Sequence, residues 1–201
     1  MIRLILVDDE ELIRSALATL LSLEDDFDVC GEFPSGEDAR AVVGSLAPDV
    51  AVVDLQLPGM DGIETCQALM RAHPALRCLI VTSHARPGYL KRALAAGVFG
   101  MLPKTASRAA LVGGIRQVVA GRRTVDPELA AETIAAGDCP LTVREADVLG
   151  RAADGAPIAE IARLAHLAEG TVRNYLSSAQ RKLGADNRFE AARLARAKGW
   201  L

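Results

Sequence analysis

The feature that most constrains the fold is an alternation that runs through about the first 120 residues. Short apolar runs (IRLILV, FDVCGEF, DVAVVD, RCLIVTS and VFGML) alternate with stretches of helical periodicity. Each run is about one strand long. The intervening segments carry apolar residues at helical spacing, as in Leu12, Ala16, Leu17 and Leu20, and again in Leu111, Ile115, Val118 and Val119. Strands that are apolar almost throughout are strands covered on both faces. The pattern therefore predicts an α/β domain, a five-stranded parallel sheet with helices on either side. Sheets of this kind bind ligands at the carboxyl ends of their strands.

After Gly121 the pattern breaks. RRTVDPELAAETIAAGDCP is polar and alanine-rich with two prolines, and it reads as a linker with a short helix. From Leu141 onward no strand is convincing, and four helices follow at roughly 143–153, 157–165, 169–184 and 187–198. The predicted organisation is an α/β domain over 1–121, a linker over 122–140 and a small all-α domain over 141–201. The chain has 201 residues, half of them apolar, with a net charge of −3. It is long enough for two modest cores. Neither a charged-then-apolar leader nor an apolar run near the ~20 residues of a membrane span is evident, so the expectation is a cytoplasmic protein away from membranes. Cys30, Cys66, Cys78 and Cys139 lack metal-ligand spacing and read as free thiols in a reducing compartment.

The strand ends carry the chemistry. Asp8 and Asp9 follow the first strand, Asp54 ends the third, Thr82 ends the fourth and Lys104 follows the fifth. Three carboxylates on one rim are costly without a cation, and hard oxygen ligands favour Mg²⁺. Carboxylate nucleophile, metal, ammonium and hydroxyl together suit a phosphoryl group transferred onto an aspartate.

The charge pattern points to a second task. From Gly170 to Leu201 the basic residues Arg173, Arg181, Lys182, Arg188, Arg193, Arg196 and Lys198 face only Asp186 and Glu190. Within PIAEIARLAHLAEGTVRNYLSSAQRKLG a short helix, a tight break and a longer helix follow in the layout of a helix-turn-helix. Val172, Leu176, Ala179 and Leu183 of the longer helix should face the core. That leaves Thr171, Arg173, Asn174, Ser177, Ser178, Arg181 and Lys182 outward, a face suited to the major groove of double-stranded DNA and also compatible with an ordinary surface helix.

Three stretches, LILVDDEELIRSAL, VVDLQLPGMDGIE and LIVTSHARPGYLKRALAAGVFGMLPK, resemble the receiver domain of two-component response regulators, a flavodoxin-like fold. The resemblance implies that Asp54 accepts a phosphoryl group from a sensor histidine kinase. It also implies that Asp8, Asp9, Asp54 and the backbone carbonyl of Gln56 hold Mg²⁺, and that Thr82 and Lys104 bind the phosphoryl oxygens. LTVREADVL, IAEIARL and EGTVRNYLSSAQRKLGADNRFEAARLARAKGWL are similar to the LuxR-type DNA-binding domain. The combination resembles the NarL/FixJ group of transcriptional regulators, and ARPGYLKRAL with GTVRNYLSSAQRKLGA resembles the branch containing a membrane-lipid desaturase regulator. The group implies a homodimer on phosphorylation, formed through the first and fifth helices and bound to paired operator half-sites, with Leu12, Ile13, Leu111 and Ile115 as contacts that are equally candidates for the core.

Two positions depart from the family pattern. Receivers usually carry Tyr or Phe on the fifth strand three residues before the lysine; here that switch position is Met101, and Phe99 shares its face by strand alternation. LuxR-type domains usually place Ser before the recognition helix; here Ala168 forfeits that cap. The leading reading is a non-enzymatic regulator of transcription switched by phosphorylation. Two alternatives stay open: a regulator that binds DNA without phosphate, and an Mg²⁺-dependent phosphotransfer enzyme.

Overall fold

The computed structural model describes residues 1–153 and 155–201, with only the backbone of Val143. The chain divides into two compact units, one of Met1–Ala85 with Leu90–Ala130 and the other of Arg86–Tyr89 with Ala131–Leu201.

The first unit alternates strands and helices: β1 (Ile2–Val7), α1 (Glu11–Leu21), β2 (Phe27–Phe33), α2 (Gly36–Leu46), β3 (Val50–Val53), α3 (Gly62–Ala72), β4 (Arg77–Thr82), α4 (Pro87–Ala95), β5 (Gly100–Pro103) and α5 (Arg108–Val119). A sixth strand, β6 (Thr124–Val125), and then α6 (Pro127–Ala135) follow. All neighbouring strands are parallel, in the order β2-β1-β3-β4-β5-β6. One face of the sheet packs Leu4, Leu6, Val50, Val52, Leu79, Val81 and Leu102 against Leu21 of α1 and Leu111, Val112, Ile115 and Val118 of α5. The alternate residues Ile5, Val7, Ala51, Val53, Cys78, Ile80 and Met101 are also buried, on the opposite face. That double burial is why the strands read as unbroken apolar runs.

Five strands were expected, and the described residues form six. β6 is two residues long inside a polar segment, too short for any periodicity to register. Its place beside β5 is kept by Gly100, where a Cβ would lie 1.8 Å from the carbonyl oxygen of Thr124. The short helix of the linker reading corresponds to α6, whose first amides are capped by Asp126 through Glu128 N and Leu129 N, both at 3.1 Å.

The second unit holds α7 (Val143–Ala153), α8 (Ile158–Ala165), α9 (Glu169–Leu183) and α10 (Arg188–Ala197). Val148, Leu149, Ile161, Val172 and Leu176 share its core with Ala152, Ala162, Ala179, Ala191, Ala192 and Ala195. His166 makes the turn between α8 and α9 in the left-handed region (φ 54°), and Gly184 ends α9 the same way (φ 64°).

Candidate functional site

Strand order places the site. β1 lies between β2 and β3, so the chain leaves β1 in one direction and β3 in the other, opening a crevice at their carboxyl ends. Asp8 stands at one side of that crevice and Asp54 at the other, and both are buried, 3% and 6% exposed. Asp54 is fixed by its own backbone, with its N–H donating to Val7 O at 2.8 Å and the next amide, Leu55 N, donating to its Oδ1 at 2.7 Å. Asp8 Oδ1 accepts from Glu10 N at 3.0 Å.

The loop after β3 closes on this carboxylate. Asp61 and Glu64 form a capping box at the start of α3, with Glu64 N donating to Asp61 Oδ1 at 2.8 Å and Asp61 N donating to Glu64 Oε2 at 3.1 Å. Gly62 N donates to Leu55 O at 2.8 Å, which pulls α3 against the end of β3. A Cβ on Gly62 would lie 2.0 Å from the carbonyl oxygen of Asp54, so only glycine fits.

Lys104 reaches into the crevice from the end of β5. Its backbone N–H donates to Thr82 O at 2.9 Å, tying the lysine to the end of β4. Its Nζ lies 2.8 Å from Asp8 Oδ2, 2.9 Å from Glu10 Oε1 and 3.2 Å from Asp54 Oδ2. Burial pulls the ammonium pKa down, but the hydrogen bonds to Asp8 and Glu10 and the charge of Asp54 outweigh it and raise it well above the ordinary lysine value. Burial pushes the Asp8 carboxyl up, and Lys104 counters only part of that rise. The Glu10 carboxyl is held below its usual range by its hydrogen bond to Lys104. Thr82 is fully buried, and its Oγ1 accepts from His84 N at 3.1 Å.

Carboxylate oxygens of Asp8, Glu10 and Asp54 lie within 4.8 Å of one another. This all-oxygen donor set fits a hard divalent cation. Asp9, expected in the set, is exposed, and the exposed Glu10 joins Asp8 and Asp54 within that distance. The VDDE run does not reveal which of its acids turn inward, because the chain leaves the strand there and strict alternation ends. Gln56 is exposed in the loop two residues past Asp54.

Met101 is fully buried on β5 opposite Ile80. Phe99 lies one residue before β5 and packs against the α1 and α5 side of the sheet, with Arg77 stacked at 5.5 Å. The expectation that it shares the face of Met101 is corrected: alternation does not extend past the strand's first residue. Leu111 and Ile115, expected as dimer contacts or core, lie in the core, 5% and 0% exposed. The helical spacing that singled them out marks the inner face of α5. Leu12 is 82% exposed, and Ile13 lines a cleft of about 190 Å³ with Leu17, Leu20, Leu111 and Arg108.

On α9, Val172, Leu176 and Ala179 turn inward. Arg173, Asn174, Ser177 and Arg181 are exposed, and Thr171 is half-buried. Arg173 pairs with Glu169 at 2.8 Å. Arg173, Ser177 and Gln180 line an open groove of about 550 Å³ with Ile158 of α8 and Arg188 of α10. Gln180, half-buried beside Arg173 on α9, and Arg188 of α10 complete that groove. Ser178 and Lys182 are tied to Glu145 of α7 at 2.6 and 2.7 Å.

Ala168 is the N-cap of α9 and makes no side-chain cap; its carbonyl accepts Thr171 N at 2.9 Å and Val172 N at 3.1 Å. Ala168→Ser should stabilise this helical unit by about 1 kcal/mol, or a rise of roughly 4–8 °C in its melting temperature. Scanning calorimetry of the full chain measures it. An unchanged midpoint would mean that these carbonyl contacts already satisfy the helix start.

Two family models match the chain: the response regulator receiver domain over residues 4–116 and the bacterial regulatory proteins of the luxR family over 139–195. The chain is a LuxR-family response regulator. The "Uncharacterized transcriptional regulatory protein YvfU" of Bacillus subtilis is 40% identical to it over 201 residues, all of both chains. The "Transcriptional regulatory protein DesR" of the same organism is 40% identical over 200 residues, 100% of this chain and 99% of that one. A crystal structure of a LuxR-family two-component response regulator from Aurantimonas sp. SI85-9A1 superposes with a TM-score of 0.63 at 32% identity, over 66% of this chain and 95% of that chain. In this response regulator, then, the acid crevice belongs to the receiver and α9 to the DNA-binding domain. No helix among the described residues is long and apolar enough to cross a membrane.

Proposed function

We propose that a sensor histidine kinase phosphorylates Asp54, and that the phosphorylated regulator dimerises and binds paired half-sites on double-stranded DNA to control transcription. In the transfer, the P–N bond of the kinase phosphohistidine breaks and a P–O bond to Asp54 forms. The observation that carries this reading is a nearly buried carboxylate at the end of β3 with the Lys104 ammonium 3.2 Å away. Lys104 and Thr82 take the phosphoryl oxygens. Asp8, Asp9, Asp54 and the Gln56 carbonyl, with Glu10 beside them, would hold Mg²⁺, which would supply positive charge to offset the crowded oxygens of carboxylate and phosphoryl group. The added charge of about −1.5 to −2 draws on Lys104 and biases a two-state receiver, with Met101 in the switch position.

Dimerisation uses the outer faces of α1 and α5, with Leu12 and Ile13 at the contact. Thr171, Arg173, Asn174, Ser177 and Arg181 face DNA, joined by Gln180 and Arg188 across the groove. The phosphoacceptor domain spans 1–121, the linker 122–140 and the DNA-binding domain 141–201. The protein works in the cytoplasm, as a regulator and not as an enzyme.

Intact-mass measurement after incubation with acetyl phosphate and Mg²⁺ tests the acceptor. One phosphoryl group is expected on the wild type, and borohydride reduction, which expels phosphate and leaves homoserine at the acceptor aspartate, is expected to mark Asp54. Homoserine at a different aspartate would overturn the assignment.

A further inference from the structure

We infer that Glu145 is a positioning residue for the DNA-reading helix, holding α9 through Ser178 and Lys182, so that these two side chains set its rotation instead of contacting DNA. The inference rests on the DNA-binding reading above and divides the polar residues of α9 between two tasks.

Glu145 lies in the first turn of α7 and is only 4% exposed. Its Oε1 accepts from Ser178 Oγ at 2.6 Å, and its Oε2 accepts from Lys182 Nζ at 2.7 Å and from Thr142 N at 2.7 Å. Glu145 N donates back to Thr142 Oγ1 at 3.3 Å, completing a capping box at the head of α7. One carboxylate thus joins the start of α7 to two successive turns of α9. Burial pushes this carboxyl up, but its three donors, Lys182 first, hold it down at about 2.

Bonds to Glu145 draw these two side chains off the DNA face, Ser178 half-buried and the Lys182 side chain still 34% exposed. At about 100° per residue, Ser178 and Lys182 lie on one flank of the apolar stripe, beside α7. Arg173, Gln180 and Ser177 lie towards the other flank, while Asn174 and Arg181 point most directly away. A Lys182 that swung to a phosphate would strip a nearly buried carboxylate of its charged partner, which is costly. The surrounding core packs Val172 and Leu176 of α9 among Val148, Leu149, Ile161 and several alanines, contacts that are not directional. Directional bonds to a buried carboxylate add orientation to that packing.

The test uses the full chain and a duplex selected by the wild type from a random-sequence pool, with an unselected duplex as reference. Ser178→Ala and Lys182→Met are each made in the wild type and in Glu145→Gln, with folding checked by circular dichroism. Each single variant is expected to lose about tenfold in preference for the selected duplex. In the Glu145→Gln background the same changes should add less than about twofold, because they act through a carboxylate already gone. Lys182→Met should leave the salt dependence of binding unchanged, whereas Arg173→Ala should lower its slope by about one. Effects that persist in full in Glu145→Gln, or a slope reduced by about one in Lys182→Met, overturn the inference and leave the DNA reading standing. If the wild type selects no duplex, the DNA reading falls and takes this inference with it. Should Glu145→Gln fail to fold, the Lys182→Met salt slope decides by itself.

Discussion

Asp54→Ala will sediment at the same rate with and without beryllofluoride and Mg²⁺, while the wild type shifts towards dimer. The mimic needs a carboxylate oxygen to complete its coordination, and Asp54 offers one at the bottom of the crevice, 3.2 Å from Lys104. Removing it leaves Lys104 paired with Asp8 at 2.8 Å and Glu10 at 2.9 Å, so the fold should survive and only the switch be lost. In the wild type, a differential stabilisation of about 2 kcal/mol would raise the dimerisation constant roughly thirtyfold. A near-complete change from 1:99 to 99:1 would require about 5.5 kcal/mol. A shift in Asp54→Ala equal to that of the wild type would mean that the mimic acts elsewhere. A wild type that stays unshifted would mean that fully buried Met101 does not pass the signal from Thr82 to the faces of α1 and α5.

What the sequence disclosed follows from the length scale of each signal. The core strands were legible because burial on both faces makes each an unbroken apolar run, and the four helices of the second unit because their apolar stripes span two or more turns. β6 escaped because two residues cannot display a period. Asp54 and Lys104 were placed at the rim because strand ends in a parallel sheet share one edge. Of Asp8, Asp9 and Glu10 only Asp8 is buried; Glu10, 58% exposed at its side chain, reaches back to Lys104 along a loop path that the sequence does not show. The outward face of α9 was read from a helix in isolation. Its neighbours then divide that face, α7 drawing in Ser178 and Lys182 while α10 adds Arg188 to the other side. Leu111 and Ile115 show the same limit: periodicity identifies an apolar face, but only packing tells whether it meets the sheet or a partner.

Gly62→Ala should cripple both the fold and the phosphoacceptor, because the atoms in its way are backbone. The added Cβ would stand 2.0 Å from the carbonyl oxygen of Asp54, 2.7 Å from Leu55 Cα and 2.8 Å from Asp54 C. No rotamer change can relieve these contacts. Either α3 or the end of β3 must retreat by about an ångström, and both are held. The capping box of Asp61 and Glu64 fixes the start of α3, and β3 is hydrogen-bonded between β1 and β4. Overpacking against a rigid backbone costs about 3 kcal/mol. Misplacing the acceptor carboxylate by the same ångström should slow phosphorylation by about a hundredfold. Urea unfolding measures the first effect, and the rate of phosphoryl mass gain with acetyl phosphate measures the second. Gly44→Ala in α2 is the control, since a Cβ there meets nothing within 4 Å and alanine favours a helix interior by roughly 0.5–1 kcal/mol. The same glycine-to-alanine change should therefore stabilise at position 44 and destabilise at 62. Equal unfolding midpoints for the two variants would refute the close approach of α3 to Asp54.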